Sequence, residues 1–169
     1  MVNKKEISTD HSIHILSALD EVYDPEIPVL TIAELGILRE IKINDKDGME
    51  ETEIVITPTY TGCPAMDMIA INIRLVLTGY GFKNIKITTV LSPAWTTDWI
   101  TDNGKEKLKR YGIAPPLSSL DKDGQTTVIQ CPQCRSDNVH LISQFGSTAC
   151  KALYKCDDCK EPFDYFKCH

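Results

Sequence analysis

The sequence predicts an α+β protein, in which a small two-layer domain of helices on a sheet is followed by a cysteine-rich module. Helical and strand periodicities alternate over the first 113 residues in the order helix, strand, strand, helix, strand, helix. The stretch 114–127, APPLSSLDKDGQTT, is rich in proline, serine and small polar residues and has no period. Two C-x-x-C pairs then follow. We therefore predict a first domain at 1–113, a linker at 114–127 and a metal-binding ribbon at 128–169.

The first helix and the loop after it are defined by apolar spacing and by prolines. Apolar residues recur at helical spacing over 15–22, and the helix should end near Tyr23 because the prolines of the next segment keep the preceding residues out of the helical region. We expect that segment, 24–30 with the sequence DPEIPVL, to be an extended loop. Residues two apart then point the same way, so Asp24 and Glu26 form a candidate acidic site. Turn initiation by the aspartate is the alternative.

The rest of the first domain has the pattern of a hairpin, a helix, a third strand and a last helix. Alternation favours strands at 37–43, 51–57 and 84–91, and helical spacing favours helices at 64–78 and 97–110. The largely apolar helix at 64–78 should pack broadly on the sheet. Thr31 and Glu34 have the spacing of a capping box, and Gly36 is placed to end that single turn.

Charge and apolar patterning narrow the class of partner. The net charge is −6, with thirteen Lys and Arg against nineteen Asp and Glu before Val128 and five against five from there on. Neither part supplies the basic face of a nucleic-acid binder, so we expect no nucleic-acid partner.

No apolar run is long enough to cross a bilayer and the amino terminus lacks a secretory segment, so we expect no membrane association and a cytoplasmic location. Because thiols stay reduced in the cytoplasm, the seven cysteines favour metal or redox chemistry over disulfides.

The cysteine pairs of the ribbon predict a tetrahedral metal site. Twenty-one residues separate the two pairs, and a hairpin between them brings four thiolates together. The four ligands are Cys131, Cys134, Cys156 and Cys159. Zinc is the favoured ion, although iron of the rubredoxin type fits the same ligands. A closed set of four thiolates leaves no position for a substrate, so we expect this site to be structural.

The sequence leaves open the roles of three further residues that could bind metal or act as thiols. Cys150 lies between the two pairs, and Cys168 and His169 end the chain. Packing or incidental exposure is one interpretation. A second metal contact or a labile thiol pair is the other, and spacing alone does not decide between them.

Cys63 is the candidate reactive thiol, because it lies where a strand passes into a helix. Pro64 suits the first position of a helix, which would make Cys63 the cap. Free backbone N–H groups and the helix dipole at that place should lower the thiol pKa and prepare the sulfur to attack or to bind metal. Gly62 would let another backbone approach closely. A buried cysteine that serves as a small apolar side chain is the alternative.

Three segments carry a family resemblance. DPEIPVLTIAELGIL, TPTYTGCPAMDMI and LSPAWTTDWIT resemble the iron-sulfur assembly family that includes SufT, and the resemblance covers about residues 12–113. With the ribbon and its FGSTACKALYKCDDCKEPFDYFKCH segment, the chain resembles the PaaD family, also called PaaJ, of the aerobic phenylacetate pathway. The resemblance places the family's motifs on Thr61, Gly62, Cys63 and Pro64 and on Asp24, Pro25 and Glu26.

The resemblance implies an accessory protein of the multicomponent oxygenase that epoxidises the ring of phenylacetyl-CoA. Its expected task is to assist assembly or maintenance of the iron-sulfur cluster in the reductase, with Cys63 handling a transient cluster and no catalytic activity of its own. The reductase or other epoxidase subunits are the expected partners. One cysteine does not complete a cluster's shell, so a homodimer, a client or a small thiol would supply the rest. A stably bound structural subunit is the alternative, and a thiol enzyme lacks an evident base.

Overall fold

The first domain has the predicted order of elements in the computed structural model, which describes residues 9–46, 49–117 and 128–167. Its helices and strands are α1 (Thr9–Leu19), β1 (Leu38–Lys46), β2 (Met49–Ile56), α2 (Ala65–Gly79), β3 (Ile85–Thr89) and α3 (Asp102–Tyr111). Strands β1 and β2 form the predicted antiparallel hairpin, and β3 joins β2 in parallel to give the order β1-β2-β3. The parallel pairing requires a crossover, which α2 provides.

The last predicted helix is divided in two. A 3-10 turn at Thr97–Trp99 precedes α3, because Ile100 and Thr101 take extended conformations. The Thr101 hydroxyl then accepts the Gly104 N–H at 3.0 Å and caps α3. At its other end, Gly112 has a φ of +91° and terminates the helix as predicted.

Helix α2 packs through one stripe only, so the broad packing that its apolar composition predicts is wrong. The buried stripe is Ala65, Ile69, Ile73 and Leu77. Met68, Ile71 and Leu75 are instead about half or more exposed. Helix α1 and strand β3 contact α2, and among the described residues Met66 and Val76 beside the stripe are partly buried against the core.

The acidic loop at 24–30 is a series of turns rather than an extended segment. The Asp24 Oδ1 accepts the N–H groups of Glu26 and Ile27, both at 2.8 Å. This is the turn chemistry given above as the alternative. The adjoining capping box is confirmed, since the Thr31 N–H donates to Glu34 at 3.1 Å and the Glu34 N–H donates to the Thr31 hydroxyl at 3.2 Å.

The ribbon is joined to the first domain by a shared sheet. Strand β4 (Ile113–Ala114) pairs in parallel with β7 (Pro162–Phe166), and β6 (Lys151–Cys156) and β5 (Val139–Ser143) complete the order β4-β7-β6-β5. Ala114, the first residue of the predicted linker, is thus a strand residue. The linker segment 118–127 lies outside the described residues, so its character stays a prediction.

The two parts also share a hydrophobic core. Phe166 of the ribbon is fully buried and meets Trp95 edge-on, with ring centroids 5.9 Å apart. The Trp95 Nε1 in turn donates to the Leu35 carbonyl at 3.0 Å. Cys150 and Phe166 belong to the same apolar cluster as the core of the first domain. This core holds the ribbon against the domain that carries Cys63.

Candidate functional site

The four ribbon cysteines come together as predicted. Their sulfurs lie within 4.8 Å of one another, with Cys131 and Cys159 at 3.7 Å and Cys134 and Cys156 at 3.5 Å. A tetrahedron with a metal–sulfur bond of about 2.3 Å has edges of about 3.8 Å, which these spacings approach. The donor set therefore fits one thiophilic metal ion.

Each C-x-x-C pair lies on the same kind of turn. The residue directly after the second cysteine has a left-handed conformation in both, with φ of +66° at Arg135 and +68° at Lys160. The N–H of each first cysteine donates to the carbonyl five residues later, at 2.8 Å to Ser136 and 3.0 Å to Glu161. Backbone N–H groups of Cys159 and Asp158 lower the pKa of the Cys156 thiol to about 7, which favours a thiolate before any metal arrives. The repeated geometry presents two sulfurs from each turn.

Cys63 lies half-buried between β2 and α2, at the junction that the sequence predicts. Pro64 occupies the cap position with helical dihedrals of −70° and −19°, so the regular helix begins one residue later than expected, at Ala65. The sulfur accepts hydrogen bonds from the Ala65 N–H and the Tyr60 hydroxyl. Gly62 has a φ of +82° with open space where a Cβ would lie, so within the described part of the chain the expected close approach of another backbone at that position is not found.

The structure reverses the expected direction of the Cys63 pKa shift. Burial raises the pKa of the thiol, and the carboxylates of Glu26 and Asp24 raise it further. The Ala65 N–H and the Tyr60 hydroxyl lower the pKa, but by less than the sum of these effects. At neutral pH the resting sulfur is therefore a thiol and not the thiolate that the helix start alone would predict.

The acidic loop lies near this thiol, because the charges of Glu26 and Asp24 both act on its sulfur. Asp24 is 5% exposed, and burial raises the pKa of its carboxyl despite two backbone hydrogen bonds. Burial and the Asp24 charge also raise the pKa of Glu26. Thr61 is exposed on the turn before Cys63. The site therefore combines a thiol with two carboxyl groups whose pKa values burial raises.

Ribbon residues complete the site, and sequence reasoning did not place them there. The Cys150 Sγ lies 3.8 Å from the Glu26 Oε2 and 3.0 Å from the Thr148 Oγ1. The Lys151 Nζ, on a side chain that is nearly all buried, donates to the Glu26 carbonyl at 3.3 Å. No local pattern links these residues to a loop more than 120 positions earlier. Tyr60, by contrast, lies three residues before Cys63, where a turn motif could have indicated it.

Cys168 and His169 lie outside the described residues, so their roles stay open. No helix in the described part of the chain is long and apolar enough to cross a membrane.

Comparison with known proteins decides the family. A model of the PaaD zinc beta ribbon domain matches residues 115–167, and a model of the iron-sulfur cluster assembly protein matches residues 14–81. The chain is 47% identical over 155 residues to a protein of Escherichia coli (strain K12) that is ascribed to 1,2-phenylacetyl-CoA epoxidase as one of its subunits. That alignment covers 91% of each chain. The chain belongs to the PaaD family.

Other relatives of this PaaD-family chain match its first domain. A protein of Porphyromonas gingivalis named as an Fe-S protein maturation auxiliary factor is 30% identical over 108 residues, which is 63% of this chain and 97% of the relative. The crystal structure of a DUF59 domain of unknown function from Bacillus anthracis superposes with a TM-score of 0.50 at 24% identity, over 56% of this chain and 87% of that one. The first domain thus shares the α+β fold of that DUF59 domain, and the ribbon follows it.

Proposed function

We propose that this PaaD-family chain is an accessory protein of a multicomponent phenylacetyl-CoA epoxidase and assists assembly or maintenance of the iron-sulfur cluster in the reductase. The observation that carries the proposal is the arrangement of Cys63 beside Asp24, Glu26 and Tyr60 in a domain of the iron-sulfur assembly family. The name of the Escherichia coli relative, as a subunit of that epoxidase, supports the link. The reductase or another epoxidase subunit is the proposed partner, and the cytoplasm, where thiols stay reduced, is the proposed location.

The electrostatics of the site favour a thiol that is protonated when no cation is bound and that becomes a thiolate when a cation binds. Burial and two nearby carboxylates keep the Cys63 sulfur protonated in the absence of iron. An arriving cation inverts this balance, because the same carboxylates attract it and its charge stabilises the thiolate. Binding therefore releases a proton and should strengthen as the pH rises. Such a thiol is protected from oxidation when no cargo is present, since thiolates are the reactive form.

We assign zinc to the ribbon as a structural ion. Four thiolates at tetrahedral spacing are the donor set of closed zinc sites, and zinc brings no redox chemistry of its own. Cys131, Cys134, Cys156 and Cys159 would hold it, and it would stabilise the fold of a module too small to bury a large core.

The test of the proposed function is the iron content of the reductase. In cells that carry Cys63→Ala in place of the wild-type chain, the purified reductase should contain less iron and less acid-labile sulfide per protein. Thr78→Ala, at an exposed position near the far end of the same helix, is the matched control and should leave both quantities unchanged. A fully loaded reductase from Cys63→Ala cells would refute the role.

A stably bound structural subunit is the second candidate, favoured by the relative's name as a subunit. It predicts co-purification with the epoxidase at a fixed ratio, and that ratio should be the same for Cys63→Ala. An accessory factor should instead be present at much lower amounts than the enzyme it serves. A homodimer, which would be another source of cluster ligands, would be detected in the mass of the isolated chain by light scattering.

A further inference from the structure

The surroundings of Cys150 are unusual for a buried cysteine. Its side chain is 3% exposed, and such cysteines commonly pack as small apolar groups. Here the sulfur instead lies between the Thr148 hydroxyl at 3.0 Å and the Glu26 carboxylate at 3.8 Å. A carboxylate acceptor beside a thiol is an environment that a cation can convert into a pair of ligands, because displacement of the proton leaves a thiolate next to a carboxylate.

The same carboxylate is a neighbour of both site thiols. Glu26 contacts the Cys150 sulfur directly, and its charge acts on the Cys63 sulfur as well. The Tyr60 phenol donates to Cys63, and the nearby Glu26 carboxylate contributes to the raised pKa of that phenol. Two thiols, one from each part of the chain, therefore belong to one cluster around Glu26.

Strand pairing holds the second thiol in place. Cys150 directly precedes β6, and its carbonyl accepts the Lys167 N–H at 2.9 Å. The next residue, Lys151, donates to the Glu26 carbonyl and lies 4.0 Å from Asp164, so the ribbon is attached to the acidic loop at this point. The position of Cys150 is thus set by the ribbon sheet and not by a free loop.

We propose that Cys63 and Cys150 together form the protein's ligand pair for an iron-sulfur unit, with Glu26 between them. This inference rests on the proposed function and adds the second ligand, which one chain supplies without a dimer. Each thiol gives its proton to solvent and donates a sulfur lone pair to iron, and no atom changes oxidation state in this step. Two of the four terminal ligand positions on the iron atoms of a [2Fe–2S] unit remain for thiolates of the client. This arrangement suits transfer of the unit to the client.

The proposal is tested by loading the zinc-bound full chain with ferric iron and sulfide under anaerobic conditions, so that the unit assembles without a change of oxidation state. Wild type should take up iron and sulfide and develop sulfur-to-iron charge-transfer absorption. Cys63→Ser and Cys150→Ser should each weaken iron binding by at least about tenfold, a loss that even an outer partner of a metal ligand can cause. Cys150→Val controls for packing, because it fills the space with an apolar group and should lose iron equally while zinc content and the unfolding midpoint stay near wild type. Iron uptake by Cys150→Val at the wild-type level would overturn the proposal.

A second measurement needs no variant. Phenylarsine oxide bridges two neighbouring thiols by forming two arsenic–sulfur bonds and releasing one water. Wild type with its zinc retained should gain one phenylarsenic group, and peptide mapping should place it on Cys63 and Cys150. Attachment to the ribbon cysteines alone would contradict the pairing.

The outcomes separate this inference from the proposed function. If Cys63→Ala lowers the iron content of the reductase in cells but Cys150→Val binds iron as wild type does, the second ligand is wrong and the function stands. If both thiols are needed for iron binding while the reductase is fully loaded without them, the ligand pair stands and the maturation role is wrong.

Discussion

Phe166→Ala should destabilise the whole chain and not only the ribbon. The ring is fully buried and lies edge-on to Trp95 of the first domain, at a centroid distance of 5.9 Å. Replacing a buried phenylalanine by alanine costs about 3–5 kcal/mol, and the lost aromatic contact favours the upper part of that range. For a chain of this size, with about 2–4 °C per kcal/mol, the unfolding midpoint should fall by about 6–20 °C.

The assay is thermal unfolding of the zinc-loaded protein, followed by circular dichroism and by tryptophan fluorescence. Because Phe166 packs against Trp95, both signals should move to lower temperature together. Phe145→Ala is the control, since Phe145 is 65% exposed. Its ring lies beneath the Lys167 ammonium, 4.5 Å from the ring centroid, and not in the buried core. It should change stability by about 1 kcal/mol or less. A Phe166→Ala midpoint equal to that control, or two separate transitions in wild type, would refute the shared core.

Three further predictions follow from the site and the fold. Removal of the ribbon metal with a strong chelator should unfold β5–β7 and shift the tryptophan fluorescence of the first domain, since a metal at four thiolates contributes folding free energy directly. Glu26→Gln should move the pH midpoint for alkylation of Cys63 to lower pH, because the Glu26 charge raises that thiol's pKa; peptide mass spectrometry would follow the modification. Gly36→Ala should cost well over about 1 kcal/mol in urea unfolding, because the position has a φ of +73° and a Cβ there would lie 2.6 Å from the Cβ of Trp99.

Each of these has a matched comparison. A fluorescence spectrum that stays constant as the metal leaves would contradict the coupling between ribbon and domain. Glu21→Gln removes a carboxylate that accepts from the Tyr80 hydroxyl instead, and it should leave the alkylation midpoint unchanged. Gly81→Ala has the same backbone constraint, with φ of +93°, but open space around it, so it should cost less than Gly36→Ala. Equal costs would show that the contact with Trp99 is unimportant.

The described helices and strands of the first domain were largely predictable from the sequence, because their signals are local. Alternation located the β1–β2 hairpin, and the capping box at Thr31 and Glu34 formed with both of its hydrogen bonds. The ribbon ligands were predictable for the same reason, since each C-x-x-C pair lies on one turn and the strands between the pairs bring the turns together. The predicted cluster-handling role of Cys63 remains a prediction.

Two expectations failed where the environment overrode a local signal. The apolar sequence of α2 predicts a broad contact, yet Met68 and Leu75 face solvent because the sheet covers one side of the helix only. The helix start at Cys63 predicts a lowered thiol pKa, but burial and the acidic loop raise it. Desolvation and nearby charges depend on residues that are distant in the chain, and no window of sequence contains them.

The sequence by itself determined most helices and strands of the first domain, the four-thiolate ribbon site and the family motifs around Cys63, because each depends on residues a few positions apart or in a recognisable segment. The tertiary structure decided that Cys150 of the ribbon lies beside Glu26 of the first domain. That contact follows from the parallel pairing of β4 with β7 and from the burial of Phe166, which fix the ribbon in one orientation. Burial and charge act through space, so the protonation of the site thiols is set by the fold and not by their neighbours along the chain.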